Sequence, residues 1–187
     1  TADETETLET ANKETETANT TYKPTFEGQT RVNYVKTNTA YQVEVINEQI
    51  DLPWAVVNLP DGKLLITNKK GTMTVVDLKN PSVSKTVTGL PKVNHADQGG
   101  LLDVILDPNF KENRMIYWSF SNPLNDGSNN DNTSIAKGKL SADEKKVENV
   151  RIIYQTFPAH NSGKHYGNRL AFDKEGNLYA ASGERSD

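Results

Sequence analysis

Side chains able to move a proton are few in this chain, so their surroundings matter. It holds three histidines, His95, His160 and His165, and no cysteine. Without cysteine there are no thiolate metal ligands, no cysteine nucleophile and no disulfide framework, while the redox compartment stays open. An unperturbed imidazole titrates near pH 6.5, so a histidine can accept a proton at neutral pH. His165 stands in the polar run Gly163-Lys164-His165-Tyr166-Gly167-Asn168-Arg169, and His95 in Val93-Asn94-His95-Ala96-Asp97-Gln98, which feeds the pair Gly99-Gly100. A histidine in a polar loop is ordinarily solvated, so neither run assigns a reaction by itself, and His95 and His160 are expected at the surface. The stretch 121–132 is rich in carboxylate and amide oxygen, the donors a calcium ion takes. Its spacing lacks the Asp-x-Asp-x-Asp-Gly pattern with a closing Glu, and it reads as a solvated turn.

The elements that must position these runs repeat along the chain. Leu170-Ala171-Phe172-Asp173-Lys174-Glu175-Gly176-Asn177-Leu178-Tyr179 echoes Val57-Asn58-Leu59-Pro60-Asp61-Gly62-Lys63-Leu64-Leu65. A looser copy is Val104-Ile105-Leu106-Asp107-Pro108-Asn109-Phe110 followed by Arg114-Met115-Ile116-Tyr117-Trp118. Each is an apolar strand, an Asp or Pro-Asp turn and a second apolar strand, a β-hairpin in which Gly62 or Gly176 can supply the positive φ. Leu65, Tyr117 and Tyr179 fall 52 and 62 positions apart, which suits four-stranded blades with variable loops. The repeat predicts an all-β fold, a β-propeller, with about two and a half blades in this chain.

Taken in order, Val43-Glu44-Val45-Ile46 reads as a strand. The first blade follows through residues 52–59, 64–67 and 73–77, with turns at Asp61-Gly62 and Lys70-Gly71 and an outer strand at 83–87. Trp54 is expected in the core at the blade junction. Leu101 to Leu106 is nearly all apolar, as an inner strand buried on both faces would be. The second blade continues through 115–120, 133–140 and 150–154. His165 and Gln98 each stand shortly before an inner strand, where loops converge on the axial mouth of a propeller.

Residues 1–22 form an acidic Thr/Glu leader in which Leu8 is the one sizeable apolar side chain up to residue 20; the segment is too polar to offset its ordering entropy and is expected to be a disordered tether. Residues 23–187 are then the N-terminal part of the propeller, and the remaining blades must come from elsewhere in the same protein or from a complementary chain. The net charge is -4; no basic patch suggests nucleic acid, and no apolar run approaches a membrane span.

At Pro53-Trp54 with Leu59-Pro60-Asp61-Gly62-Lys63-Leu64-Leu65-Ile66-Thr67, at Asp97-Gln98-Gly99-Gly100-Leu101-Leu102-Asp103-Val104 and at His165-Tyr166-Gly167-Asn168-Arg169-Leu170, the chain resembles the soluble quinoprotein glucose/sorbosone dehydrogenases, or aldose sugar dehydrogenases. The resemblance implies a six-bladed β-propeller that holds pyrroloquinoline quinone (PQQ) and Ca²⁺ and oxidises aldose sugars to lactones. It maps His165 onto the histidine that takes the sugar hydroxyl proton as hydride moves to the quinone, and so places His165 beside the cofactor. It maps Gln98 onto a substrate-contacting glutamine. Lys164 stands where the glucose-oxidising branch has a sugar-contacting aspartate, which puts glucose itself in doubt. Asn68-Lys69-Lys70 replaces the Glu-Arg common after the first hairpin. Arg169 is expected to be a structural ion-pair or carbonyl donor.

The quinone and Ca²⁺ ligands of that family are expected beyond residue 187, and a periplasmic or extracellular location follows from its exported relatives. Two other readings stay open: a non-catalytic extracellular propeller that binds a partner, and a Ca²⁺-dependent lactonase-type hydrolase on a similar ring.

Overall fold

Runs of β-branched and aromatic residues interrupted by Gly, Asp and Asn turns fold as the hairpin repeat predicts. The computed structural model describes residues 21–27 and 37–186. The strands β1 (Pro53–Asn58), β2 (Lys63–Asn68), β3 (Thr72–Asp77) and β4 (Ser84–Val87) form an antiparallel sheet in sequence order. A second sheet in the same order comprises β5 (Leu101–Leu106), β6 (Met115–Pro123), β7 (Asp131–Leu140) and β8 (Val147–Gln155). The hairpin β9 (Leu170–Phe172) and β10 (Leu178–Ala180) begins a third. β5 packs against β1 and β2, and β9 packs against β5. Meander sheets whose first strands lie side by side are the blades of a β-propeller.

Tight turns close the first blade: the amides of Gly62 and Gly71 donate to the carbonyls of Leu59 and Asn68 at 3.1 and 2.9 Å. Between β5 and β6 a single helical turn, α1 (Phe110–Asn113), takes the place of the hairpin turn, with Phe110 buried beneath it. Leu59, Leu65, Met73, Val75, Val87 and Val93 join Leu101, Val104, Phe110, Ile116, Trp118, Phe120, Ala136, Leu140 and Val147 in one core that runs from the first sheet into the second. A clamp closes the far edge of that interface. The buried carboxylate of Glu144 accepts from Lys63 at 2.7 Å and from Lys85 at 2.9 Å.

Both inner strands carry an irregularity at the same place. Pro53 lies opposite Asn68 and Val56 opposite Ile66, while Leu101 lies opposite Phe120 and Val104 opposite Trp118. In each case three steps on the inner strand face two on its neighbour, a β-bulge that belongs to the repeat itself.

Four expectations are corrected. Residues 43–46 form no strand; Val43, Val45 and Ile46 are exposed and pair with nothing in the sheets. β-Propensity reflects packing against cross-strand neighbours and by itself does not make a strand. Trp54 is not in the core: it is 43% exposed on β1, a strand whose outer edge is open. The loop expected over 121–132 is shorter, because β6 runs on to Pro123 and β7 begins at Asp131, where the ladder outlasts the apolar run. His160, expected at the surface, is half-buried and exchanges backbone hydrogen bonds with Asp131. The leader expected over residues 1–22 lies, up to residue 20, outside the described residues. Described residues before Ile46 contain no helix or strand.

Candidate active site

In a hairpin, the start of the first strand and the end of the second lie side by side. The segment after β10 must therefore run beside the segment before β9, and the Ala181 amide does donate to the Arg169 carbonyl at 2.9 Å. The segment before β5 closes the group. Three loops, 93–100, 160–169 and 181–186, meet at one end of the blades.

Their backbones interlock. The Gln98 amide donates to the Gly163 carbonyl at 3.0 Å, that of Gly183 to the Tyr166 carbonyl at 3.0 Å, and that of Arg185 to the His165 carbonyl at 3.3 Å. Gly183 has no room for a side chain, since a Cβ there would sit 2.0 Å from the His165 carbonyl oxygen. Ser121, at the extended end of β6, fixes the first loop: its hydroxyl donates to the Asn94 carbonyl and accepts from the Gly100 amide at 2.7 Å.

His165 and Gln98, far apart in sequence, come together here. The His165 amide donates to Gln98 Oε1 at 2.9 Å. Gln98 thus grips the backbone that carries the imidazole while the rest of its amide stays exposed. Tied through both its amide and its carbonyl, His165 is held at φ 47°, a left-handed conformation uncommon outside glycine and found where surrounding structure enforces it. Its Nδ1 is hydrogen-bonded to Glu184 Oε1. That contact holds the Glu184 carboxyl below its usual range, so it is ionised at neutral pH. An ionised carboxylate only accepts, so Nδ1 is the donor to Glu184 and Nε2 is the ring nitrogen left outside that contact. The imidazole is 47% exposed and can meet a solute.

Sequence reasoning missed what lies beneath. Asp131 and Arg185 form an ion pair at 2.8 Å with both side chains at least nine-tenths buried. Asn94 Nδ2 donates to Asp131 Oδ2 at 2.6 Å, and the Tyr166 hydroxyl lies 2.9 and 2.8 Å from the two carboxylate oxygens. The guanidinium stacks 3.8 Å from the centre of the Tyr166 ring, and its Nε donates to the Lys164 carbonyl at 2.9 Å. Burial, then the hydrogen bond to Asp131, raises the Tyr166 pKa far above the ordinary phenol range. Removing either charge would leave the other buried and unpaired, so the group works as one unit. It spans all three loops and fixes the backbone on both sides of His165.

Arg169 is the structural donor expected of it, with Nη1 3.3 Å from Asp103 Oδ1, while the Leu170 amide donates to Asp103 Oδ2 at 2.7 Å. Lys164 is exposed beside His165. His95 is exposed and joins none of these contacts. A shallow cleft adjoins Gln98, lined also by Trp54, Lys69, Leu102, Tyr166 and Gly167. Among the described residues no cluster of three or more His, Asp or Glu could hold a metal ion, and no helix is long and apolar enough to cross a membrane.

The site is thus a carboxylate-held histidine among loops that converge at one end of propeller blades. The family profile for glucose/sorbosone dehydrogenase matches residues 50–187, and the chain belongs to that family. An aldose sugar dehydrogenase of Escherichia coli is 38% identical over 77% of this chain and 38% of its own length. The crystal structure of the soluble aldose sugar dehydrogenase from Escherichia coli in its apo form superposes with a TM-score of 0.71 at 37% identity, covering 76% of this chain and 41% of that one. The PQQ-bound aldose sugar dehydrogenase of Streptomyces coelicolor gives a TM-score of 0.67 at 25% identity over 78% of this chain and 42% of its own. The chain thus spans about two fifths of the length of these relatives.

Proposed function

We propose that this chain supplies the proton-accepting part of a PQQ-dependent sugar dehydrogenase, a six-bladed propeller that oxidises aldoses to lactones, with His165 as the general base. The observation that carries the reading is the His165–Glu184 contact, which leaves Nε2 as the accepting atom. Gln98 contacts the sugar through the part of its amide not engaged with the His165 backbone, and Lys164, beside His165, faces the same substrate. PQQ, when bound, supplies the two-electron acceptor that no side chain offers. The residues here fit such a partner in kind: an exposed imidazole, the cleft beside Gln98 with an aromatic wall at Trp54, and a cation at Lys69. Most of the contacts that hold the quinone, and the Ca²⁺ ligands, are assigned to later blades beyond residue 187, and the protein to the periplasm or the extracellular space.

The test uses the protein expressed from its whole reading frame and loaded with PQQ and Ca²⁺. A general base contributes roughly 10²- to 10⁴-fold in rate, so His165→Ala is expected to lower kcat by about that factor while quinone binding persists. Gln98→Ala should act mainly on KM if its contact is equally strong in ground and transition states. His95→Ala should be silent. Wild-type protein with no quinone-dependent oxidation of any aldose, or full activity in His165→Ala, would replace this reading with the non-catalytic binding propeller.

A further inference from the structure

Lys69 stands out among the lysines of the first blade that make contacts. Lys63 faces Asp61 and Glu144, Lys70 faces Asp51, and Lys85 faces Glu144, all carboxylates. The Lys69 ammonium faces a neutral partner, the backbone carbonyl of Asp97. It has no carboxylate partner among the described residues. An ammonium has three donors, and this contact uses one.

Its position is fixed by its surroundings. The Lys69 carbonyl accepts from the Leu101 amide at 3.0 Å, and its stem lies over Gly100. Gly100 has φ +137°, and a Cβ there would sit 2.6 Å from Lys69 Cγ and 2.4 Å from the Lys69 carbonyl oxygen. Only glycine at 100 lets the stem lie flat, which directs the ammonium to the Asp97–Gln98 turn. Lys69 and Gln98 line the same cleft with Trp54, Leu102, Tyr166 and Gly167, and none of these is acidic. Of the nearby carboxylates, Glu184 holds His165, while Asp97 meets Lys69 through its backbone carbonyl and makes no ion pair with it.

A fixed ammonium with donors to spare and no carboxylate ion pair among the described residues, at the edge of a partly apolar cleft, is suited to an anionic group of a bound solute. We propose that Lys69 recognises a carboxylate on the ligand that reaches Gln98. The inference rests on the proposed sugar oxidation only in taking that cleft as the mouth of the site. Two sources offer this chemistry: a carboxylate on the sugar, as in a uronic acid, and a carboxylate of the quinone. In the first case the preferred substrates are acidic sugars, and the cation at Lys69 sets that preference.

The experiment compares wild type with Lys69→Met, which keeps the apolar stem, and Lys69→Arg, which keeps the charge. Three quantities are measured on the protein from its whole reading frame: equilibrium binding of PQQ to the apoprotein, equilibrium binding of glucuronate against glucose, and the kcat/KM ratio for those two sugars. A charge-assisted hydrogen bond contributes roughly ten- to hundredfold. If the carboxylate belongs to the sugar, Lys69→Met should lower the glucuronate-to-glucose ratio by about that factor and leave PQQ binding alone. If it belongs to the quinone, PQQ binding should fall by about that factor and the sugar ratio should hold. Either effect should be kept in Lys69→Arg and should weaken with added salt in wild type. The proposal is overturned if both ligands bind Lys69→Met as they bind wild type, or if glucose and glucuronate weaken together with PQQ unaffected, which would make Lys69 a tether for the Gln98 loop and nothing more. Should Lys69→Met fail to fold, salt-insensitive wild-type binding of both anions overturns it equally. The binding arms stay informative even if no sugar is oxidised.

Discussion

The first and second blades share a topology and differ in what they do beyond it. In the first, β2 and β3 are six residues each and end together at a tight turn. In the second, β6 has nine residues and β7 ten, and they run past the end of β5 to deliver Ser121 and Asp131 among the loops. Those extra residues hold the site: Ser121 pins the Gln98 loop, and Asp131 anchors Arg185 and Tyr166 beneath His165. The first blade contributes core, and at the mouth Trp54 and Lys69 on one side of the cleft. A repeat can therefore be scaffold in one copy and scaffold plus support in the next, and the difference lies in how far one hairpin extends.

The sharpest way to break that division is at the anchor. Arg185→Met or Asp131→Asn leaves one buried group without its partner and should cost about 3–5 kcal/mol in chemical denaturation; quinone-dependent activity should fall with it, because the His165 backbone loses its support. If either variant stays within roughly 1 kcal/mol of wild type, the anchor is not what holds the loops.

An equally buried change in the first blade should separate the two properties. Val75, on β3, is 2% exposed. Val75→Ala should cost about 1–3 kcal/mol of stability yet leave kcat and KM unchanged above the shifted transition. A fall in kcat at full folding would mean that the first blade also shapes the site.

The smallest effect is electrostatic. Glu184 has a lowered pKa because His165 is hydrogen-bonded to it. A carboxyl depressed in the folded state favours folding above its unfolded value, about pH 4.3, and loses that contribution as pH falls through the folded value. Order in the 163–186 loops, read by amide exchange, should hold above about pH 4.3 and decline as pH falls below it. Glu184→Gln should remove that acid-side change, and an unchanged profile in the variant would show that another group controls it.

The scaffold was legible because hairpins announce themselves. Asp61-Gly62 and the Asp173 to Asn177 turn both fix strands where expected, and the apolar run at Leu101 gives a buried inner strand. His165 and Gln98 were legible as residues before inner strands, and the structure brings them into contact. Asp131 carried no signal, for an aspartate in an Asn/Asp/Ser stretch looks solvated until the strand that buries it is known. Glu184 and Arg185 could have been found: hairpin geometry alone sends the chain after β10 back alongside His165. The reading of residues 43–46 and of Trp54 failed for one reason. Both needed a packing partner, and local apolar character does not reveal whether one is present.

The paired bulges have a further consequence. An extra residue near the entrance of β1 and of β5 breaks the rigid alternation between the loop end of each inner strand and the rest of its sheet. A one-residue change in the preceding loop can be absorbed there and need not flip every side chain below it to the other face. The mouth is thereby buffered from the barrel of blades beneath: residues that choose a ligand can drift over evolutionary time while the ladders keep their register, which gives a repeat scaffold room to change what it binds without relearning how to fold.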